Sequence, residues 1–335
     1  MKNLGYLLNR IFSMNFKGVF DVANKVHQKT GKSKTLILFD IVWCGLRHMA
    51  GYVDYLIFEM HDLNESQRKT IMTRGRNNAY VRALNDASYH YLFDSKKDFN
   101  KTFSKFVKRD WITITEATFE EFENFLNNKD VFFAKPNNGI FGRGIENIRI
   151  KDYEDPRDLW YSLHDKNLTL LEEAIPQHPE MNALHPTSIN TVRLVTILIG
   201  DKVHIPASYL RIGNNRIVDN FNSGGMVVPI DVKNGMIHHK AIDKAGNHYE
   251  FHPSTNTSIP GFQIPHWEEC LTLVKEAAMV VPQMRLIGWD VGISTRGPLL
   301  VEANQYPGHD IYQLPVHTPD KIGMLPTFEA IIKVK

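Results

Sequence analysis

The apolar positions change their period along the chain. Residues 1 to about 90 hold long stretches with few Pro or Gly signals, which predicts a mostly helical region. Thr118-Phe119-Glu120-Glu121 is a capping box followed by Phe122, Phe125 and Leu126 on one face, so a short helix starts there. "DVFFAKP" then reads as a strand ending at Lys135-Pro136. A Gly-rich loop, "NNGIFGRGI", leads to a further strand near Ile148, and "LTLLEEAI" is another buried strand. From Asn190 the pattern turns antiparallel. "NTVRLVTILI" and "KVHIPASYLRI" flank Gly200-Asp201, and "MVVPIDV" and "MIHHKAI" flank Lys233-Asn234-Gly235, which predicts two hairpins. "HWEECLTLVKEAAMVV" is a helix with Trp267, Leu271, Val274 and Ala278 inward.

The last hairpin, "LIGWDVGIS" with "PLLVEAN", carries charge inside an apolar frame. A three-residue loop centred on Arg296, with Gly297 left-handed, places Asp290 opposite Glu302. Asn304 shares the face of Glu302, and Gly292 that of Asp290. Trp289, Val291, Ile293, Leu299 and Val301 take the other face. Facing carboxylates about 4.5–5.5 Å apart at Cβ repel each other. They share a proton, or a cation lies between them; a solvated polar face is the plainer alternative. Asp, Glu and Asn offer only oxygen donors, which suit Mg²⁺ or Mn²⁺.

Composition narrows the classes. The chain has 335 residues, enough for two or three lobes, with 43% hydrophobic and 23% charged positions. A net charge of +2 gives no basis for a nucleic-acid partner. Cys44 and Cys270 stand without C-x-x-C spacing, so a disulfide framework is not expected and a reducing cytosol fits. Asn9 and Arg10 break the N-terminal apolar run, and "TLILFDIVWCGL" is too short to span a bilayer. Leu4, Leu7, Leu8 and Ile11 fall at helical spacing, fit for packing on a core or for peripheral contact with a membrane.

Lys135 precedes a loop with Gly139, Gly142 and Gly144, whose backbone amides can surround phosphates. The loop is neither a dinucleotide fingerprint, since Asn147 stands at the third glycine position, nor a P-loop. Glu172-Glu173-Ala174-Ile175 closes a buried strand as a surface turn or as the rim of an adenine slot. Ser188, Asn190 and Thr191 beside Arg193 can cap a strand end or bind a carboxylate, and Asn220, Gly224 and Gly225 form a turn or approach phosphates. His238, His239, His248 and His252 lack a committed zinc geometry.

In this order the motifs resemble ATP-grasp enzymes. "LLEEAIPQH", "HPTSINTVRLVT", "VDNFNSGG" and "IGWDV…VEANQYPG" resemble the sugar-transfer-associated ATP-grasp group, which is typically linked to surface-polysaccharide biosynthesis. The resemblance runs from about Asp94 to Gln313. It implies an α+β ATP-grasp fold, two lobes gripping ATP, over 91–330, divided as 91–180 and 181–330, after a helical region over 1–90. It implies that Lys96 (with Lys97 as rival) and Lys135 hold phosphates beneath the Gly139–Gly144 flap. Glu172, Glu173, Ala174 and Ile175 would form the adenine hinge, and Glu180, or else Gln177, would meet the ribose. Asp290, Glu302 and Asn304 would hold two Mg²⁺, and Arg193 would steady the transferred phosphoryl group. Amide-forming members often carry a second arginine two residues before the metal Asp. Here that position is Gly288, with Arg285, Arg143 and Arg211 as candidate replacements.

The implied reaction joins a carboxylate to an amine through an acyl phosphate, and an amino acid and a sugar are suitable partners. A phosphotransferase and a non-catalytic nucleotide-binding scaffold are the rival readings. No nucleophilic elbow or Cys–His pair demands other chemistry.

Overall fold

The structure is a computed structural model that describes residues 15–137, 144–214, 221 and 224–333. Its contacts divide the chain into two units, Met1–Ala83 with Gly308–Lys335, and Leu84–Pro307. The stripe of Leu4, Leu7, Leu8 and Ile11 lies outside the described residues.

The first unit is helical. Helix α1 (Phe16–Thr30) starts where the Asn15 side chain accepts the Gly18 N–H, and it stops at left-handed Gly31. Helices α2 (Lys34–His48) and α3 (Tyr52–Ile57) follow. Val19, Val22, Ala23 and Val26 meet Ile37, Ile41 and Cys44 in a common core. The chain from Gly308 onward groups with these helices and not with the antiparallel lobe, as the expected 330 boundary would have it. Buried Gln313 is one reason: its amide accepts from Met72 N and donates to Met72 O at 2.7 Å. His309 Nε2 lies 2.8 Å from Asp54 Oδ1 in the same unit.

The second unit holds two sheets. Strands β1 (Trp111–Thr113), β2 (Val131–Lys135), β3 (Glu146–Arg149) and β4 (Leu170–Glu173) pair in the order β1-β4-β2-β3. Helix α4 (Lys96–Thr102) packs Phe99 into the core of the larger sheet, and α5 (Phe119–Leu126) and α6 (Pro156–Asp165) pack on the smaller one. The predicted capping box starts α5: Thr118 accepts from Glu121 N, and Glu121 accepts from Thr118 N. The Gly-rich loop joins β2 to β3, which pair antiparallel.

The larger sheet runs β11-β10-β5-β6-β7-β8-β9. Its members are β5 (Val192–Ile199), β6 (Lys202–Ile212), β7 (Met226–Pro229), β8 (Ala241–Asp243), β9 (His248–Tyr249), β10 (Leu286–Ser294) and β11 (Gly297–Asn304). The Gly200-Asp201 hairpin closes as predicted, with Ile199 paired to Lys202. The second hairpin is looser than expected: its return strand is β8, because Met236 bridges to Gln263 instead of to β7. Helix α7 (Trp267–Ala278) covers the sheet and buries Trp267, Leu271, Val274 and Ala278.

The last hairpin reaches the predicted pairing by another route. Its turn has two residues, since Ser294 pairs with Gly297. Ser294 Oγ accepts from Arg296 N and donates to Gly297 O, which closes the tight turn, and Gly297 has φ 95°. That register alone would leave Asp290 opposite Val301. A bulge between Val291 and Asp290 inserts one residue and restores Asp290 opposite Glu302. The shorter turn moves Leu299 and Val301 off the face expected for them: Leu299 pairs with Gly292, and Leu300, opposite Val291, takes the core face instead. A Cβ on Gly292 would lie 3.2 Å from Val301 Cγ2, so Val301 joins the Asp290 side.

Candidate functional site

Strand β10 is the centre of the larger sheet's charged face. Period-2 alternation sends Trp289 to the core, where Nε1 donates to Thr196 Oγ1, and sends Asp290 the other way. Asp290 is fully buried and pairs directly with Arg193 on β5. Arg193 Nε and Nη2 both donate to its carboxylate, Nη2 at 2.8 Å. Arg211, one strand further on β6, reaches the same carboxylate at 2.9 Å. Burial alone would raise the Asp290 pKa, but the two guanidiniums and a hydrogen bond from Glu302 bring it down to about 2. Burial likewise opposes the charge on Arg193, and Asp290 reverses that and keeps it protonated.

Glu302 behaves as a second carboxyl placed beside the first. Although the residue retains solvent-exposed surface, its carboxyl is crowded. Burial and then the adjacent Asp290 push its pKa up. Two carboxyls this close favour having one of them neutral or a cation between them. Asn304 follows two residues on, and its buried amide nitrogen has no hydrogen-bond partner. Amide N and O exchange by a flip, so this side chain has a free polar end. Two carboxylates and an amide make an all-oxygen donor set that fits Mg²⁺.

Gly288 explains the missing second arginine. A Cβ there would lie 3.1 Å from Arg193 Nη1 and 3.0 Å from Pro307 Cβ. The Arg193 side chain uses the space in front of the glycine. Arg211, held by a 2.9 Å bond from Nε to Thr191 Oγ1, is the second guanidinium on Asp290. Arg285 Nε donates to the Leu84 carbonyl. Arg143 lies outside the described residues, as do Gly139, Gly142 and Asn220. Gly144 is described and has φ 74°.

The smaller sheet supplies the opposing cations. Lys135, the last residue of β2, binds buried Glu172 at 2.5 Å. Arg109 Nη2 binds the same carboxylate at 3.0 Å, and Asn100 Nδ2 donates to it at 2.8 Å. Burial would raise the Glu172 pKa, but Arg109 and Lys135 hold it well below the usual carboxylate range. Arg109 also donates to the Leu300 and Val301 carbonyls at the bulge, so it joins the two sheets. Lys96 belongs to this cluster. Burial and then nearby Lys135 lower its pKa, while Glu302 and Glu172 oppose them. Its rival Lys97 instead pairs with exposed Glu116.

Several expected roles need correction. Glu172 is a buried anchor for Lys135, so its side chain does not rim an adenine slot. Glu173 spends its carboxylate on Asp110 N and Arg296. Ala174 and Ile175 are half-buried, and Ile175 Cδ1 lies 3.6 Å from where a Gly292 Cβ would stand. Gln177 is no ribose ligand, because its amide is bonded to Asn182, His185, Ser188 and Asn190. Glu180 lies exposed in a separate cleft with His178, His266 and Trp267. Asn190 is fully buried and satisfied by Gln177, Met181, His185 and Gly213, and Ser188 Oγ is bonded to His185, so neither offers a group to a substrate. Thr191 is used through Arg211. Among the described residues no group of three or more His, Cys, Asp or Glu could hold a metal, and His252 binds the Gly213 carbonyl.

The model of the family described as sugar-transfer associated ATP-grasp matches residues 75–320. No curated protein sequence matches the chain. Among solved structures it is similar to the ATP-grasp ligase PsnB complexed with a minimal precursor, at 12% identity and a TM-score of 0.42, over 78% of this chain and 71% of that one. It is also similar to N5-carboxyaminoimidazole synthetase from Staphylococcus aureus complexed with ADP, at 12% identity and TM-score 0.40, over 68% of this chain and 52% of that one. An L-amino acid ligase from Bacillus licheniformis aligns at 10% identity and TM-score 0.43, over 72% of this chain and 48% of that one.

Proposed function

We propose that this chain, which belongs to the sugar-transfer associated ATP-grasp family, is an ATP-dependent carboxylate–amine ligase. One observation carries the reading: Arg109 binds Glu172, the anchor of Lys135, at 3.0 Å and also donates to the Leu300 and Val301 carbonyls next to Glu302, so one side chain ties the lysine to the paired carboxyls. Phosphates need the former, and a divalent cation needs the latter.

In this reading Lys135, fixed by Glu172, and Lys96 bind the phosphates of ATP. Ile175, Ile189 and Val301 surround the side-chain-free Gly292 and would take the adenine. Asp290, Glu302 and Asn304 would hold Mg²⁺, which would supply positive charge against the phosphates of ATP. Asp290 holds the guanidiniums of Arg193 and Arg211 together, and they would steady the transferred phosphoryl group. A substrate carboxylate oxygen attacks the γ-phosphorus, and the bond to the ADP oxygen breaks. An amine nitrogen then attacks the acyl carbon. The carbon–oxygen bond to phosphate breaks, the amine gives up a proton, and an amide remains. Positioning and charge stabilisation suffice for these steps, so no side-chain nucleophile is required. Residues 138–143 of the Gly-rich loop would cover the phosphates and exclude water. A sugar or sugar acid together with an amino acid or amine is the substrate class proposed, for a surface polysaccharide or its precursor.

The test is a screen for ADP and phosphate release with amino acids set against amino sugars and uronic acids. A productive pair should depend on both partners and on Mg²⁺, and Glu302→Ala should abolish turnover. Release of ADP with one partner alone, yielding a stable phosphorylated product, would instead identify a phosphotransferase.

A further inference from the structure

We propose that the outer face of α1 and α2 docks on an anionic lipid bilayer, so that this chain works as a peripheral membrane protein. Helix α2 has two apolar faces. Ile37, Ile41 and Cys44 point into the unit's core, whereas Leu36, Phe39, Val42, Trp43 and Leu46 are exposed. At 100° per residue the exposed set forms a stripe about 120° wide, opposite the buried one. Phe39 is 71% and Leu36 68% exposed, so these are not rim residues. Phe16 and Phe20, one turn apart on α1, and Val53 on α3 are exposed as well. Scattered apolar residues on a surface are ordinary. A helix face made of them, with two Phe and a Trp nearby, calls for a covering partner.

Charge identifies the partner. The first 50 residues hold eight Lys or Arg and two Asp, a net of +6, while the whole chain has +2, so the remaining residues carry −4. Lys29, Lys32 and Arg47 have partners in Glu59, Asp62 and Glu65. Lys17, Lys25 and Lys34 are exposed and take no ion pair among the described residues. Aromatic and aliphatic side chains bordered by unpaired lysines suit the boundary between acyl chains and anionic headgroups. A second copy would bring two cationic borders together, which like-charge repulsion disfavours. Helices α1 and α2 have 15 residues each, and no helix among the described residues is long and apolar enough to cross a membrane. They would therefore lie in the interface plane. This inference is independent of the proposed chemistry, because none of these residues belongs to the β10–β11 site.

Vesicle flotation of the full chain tests it. Vesicles of phosphatidylcholine with about 30% phosphatidylglycerol should capture at least ~10-fold more protein than phosphatidylcholine alone. The Phe39→Glu/Trp43→Glu variant should lose about 10-fold of that capture, and Lys17→Glu/Lys34→Glu should lose several-fold and with it the salt dependence. Unchanged thermal melts and ADP binding would establish that these variants fold. Should the first pair misfold, Leu36→Gln/Phe39→Gln carries the same expectation. No capture on anionic vesicles overturns the proposal, as does capture that the apolar variants leave unchanged. A native dimer that Phe39→Glu/Trp43→Glu turns into a monomer, without vesicle capture, would assign the face to a second copy and also overturn it.

Discussion

Gly288 and Arg193 share one volume: a Cβ on the glycine would stand 3.3 Å from Arg193 Cδ and 3.1 Å from its Nη1. Pro307 closes the other side, so the guanidinium has little room to retreat. Gly288→Ala should leave the fold intact and push Arg193 off Asp290. A displacement of some tenths of an ångström at a phosphoryl clamp should lower turnover about tenfold. Steady-state phosphate release with a productive substrate pair measures this, with ADP affinity expected to change little.

Glu302→Gln keeps the size of the side chain and removes one anionic oxygen donor. Mg²⁺-dependent ATP turnover should fall by at least ~10³-fold, the scale of losing a principal electrostatic element. The metal-free protein should melt close to wild type, because the amide can still donate to Asp290. Calorimetric Mg²⁺·ADP titration would refute the metal assignment if affinity matched wild type.

Glu172 predicts acid sensitivity. Its pKa is depressed in the native state by Arg109 and Lys135, so it contributes stability above its unfolded value. That stability is lost as pH falls through the depressed native value, and the loss begins below about pH 4.3, where the unfolded carboxyl takes up its proton. Glu172→Gln should remove this part of the acid dependence. It should also cost about 3 kcal/mol at neutral pH, since two buried cations lose their counter-charge. Urea unfolding at several pH values gives both readouts.

Lys96 and Lys97 are neighbours in sequence with separate fates. Lys96→Met should weaken ATP binding about 10-fold or more, the scale of one charge-assisted phosphate contact. Lys97→Met removes an exposed pair with Glu116 and should change affinity less than twofold. Equal effects in an ADP titration would count against the placement of Lys96.

Thr191 acts through Arg211 at 2.9 Å, so Thr191→Val should lower kcat several-fold and spare the nucleotide KM. Thr191→Ser keeps the acceptor and should restore most of the rate. A KM effect in both variants would indicate direct substrate contact instead.

Much of the site could be read from local pattern. Lys135 stands at a strand end before glycines, and Asp290, Glu302 and Asn304 follow from period 2 and one turn. Even there the pairing succeeded by compensation. The turn is one residue shorter than the loop expected, and the bulge at Val301 adds one back. Periodicity counts residues along a hairpin but does not register where a strand bends.

Other parts had no local signal. Asn100 and Arg109 meet Glu172 from 72 and 63 positions away, and Arg109 caps carbonyls near residue 300. Asn190 looked like a substrate ligand because polar residues beside a functional arginine have the same appearance whether they bind substrate or fill a polar core.

The sequence by itself determined the strands, the helix caps and the facing carboxylates, because these depend on neighbours within a turn or a hairpin. Tertiary structure alone decided that Arg193 fills the space in front of Gly288 while Arg211 reaches Asp290 from β6, that Glu172 anchors Lys135, and that one apolar face of α2 is exposed. Those outcomes depend on which distant side chain occupies a given space, and the order of residues along the chain does not record that.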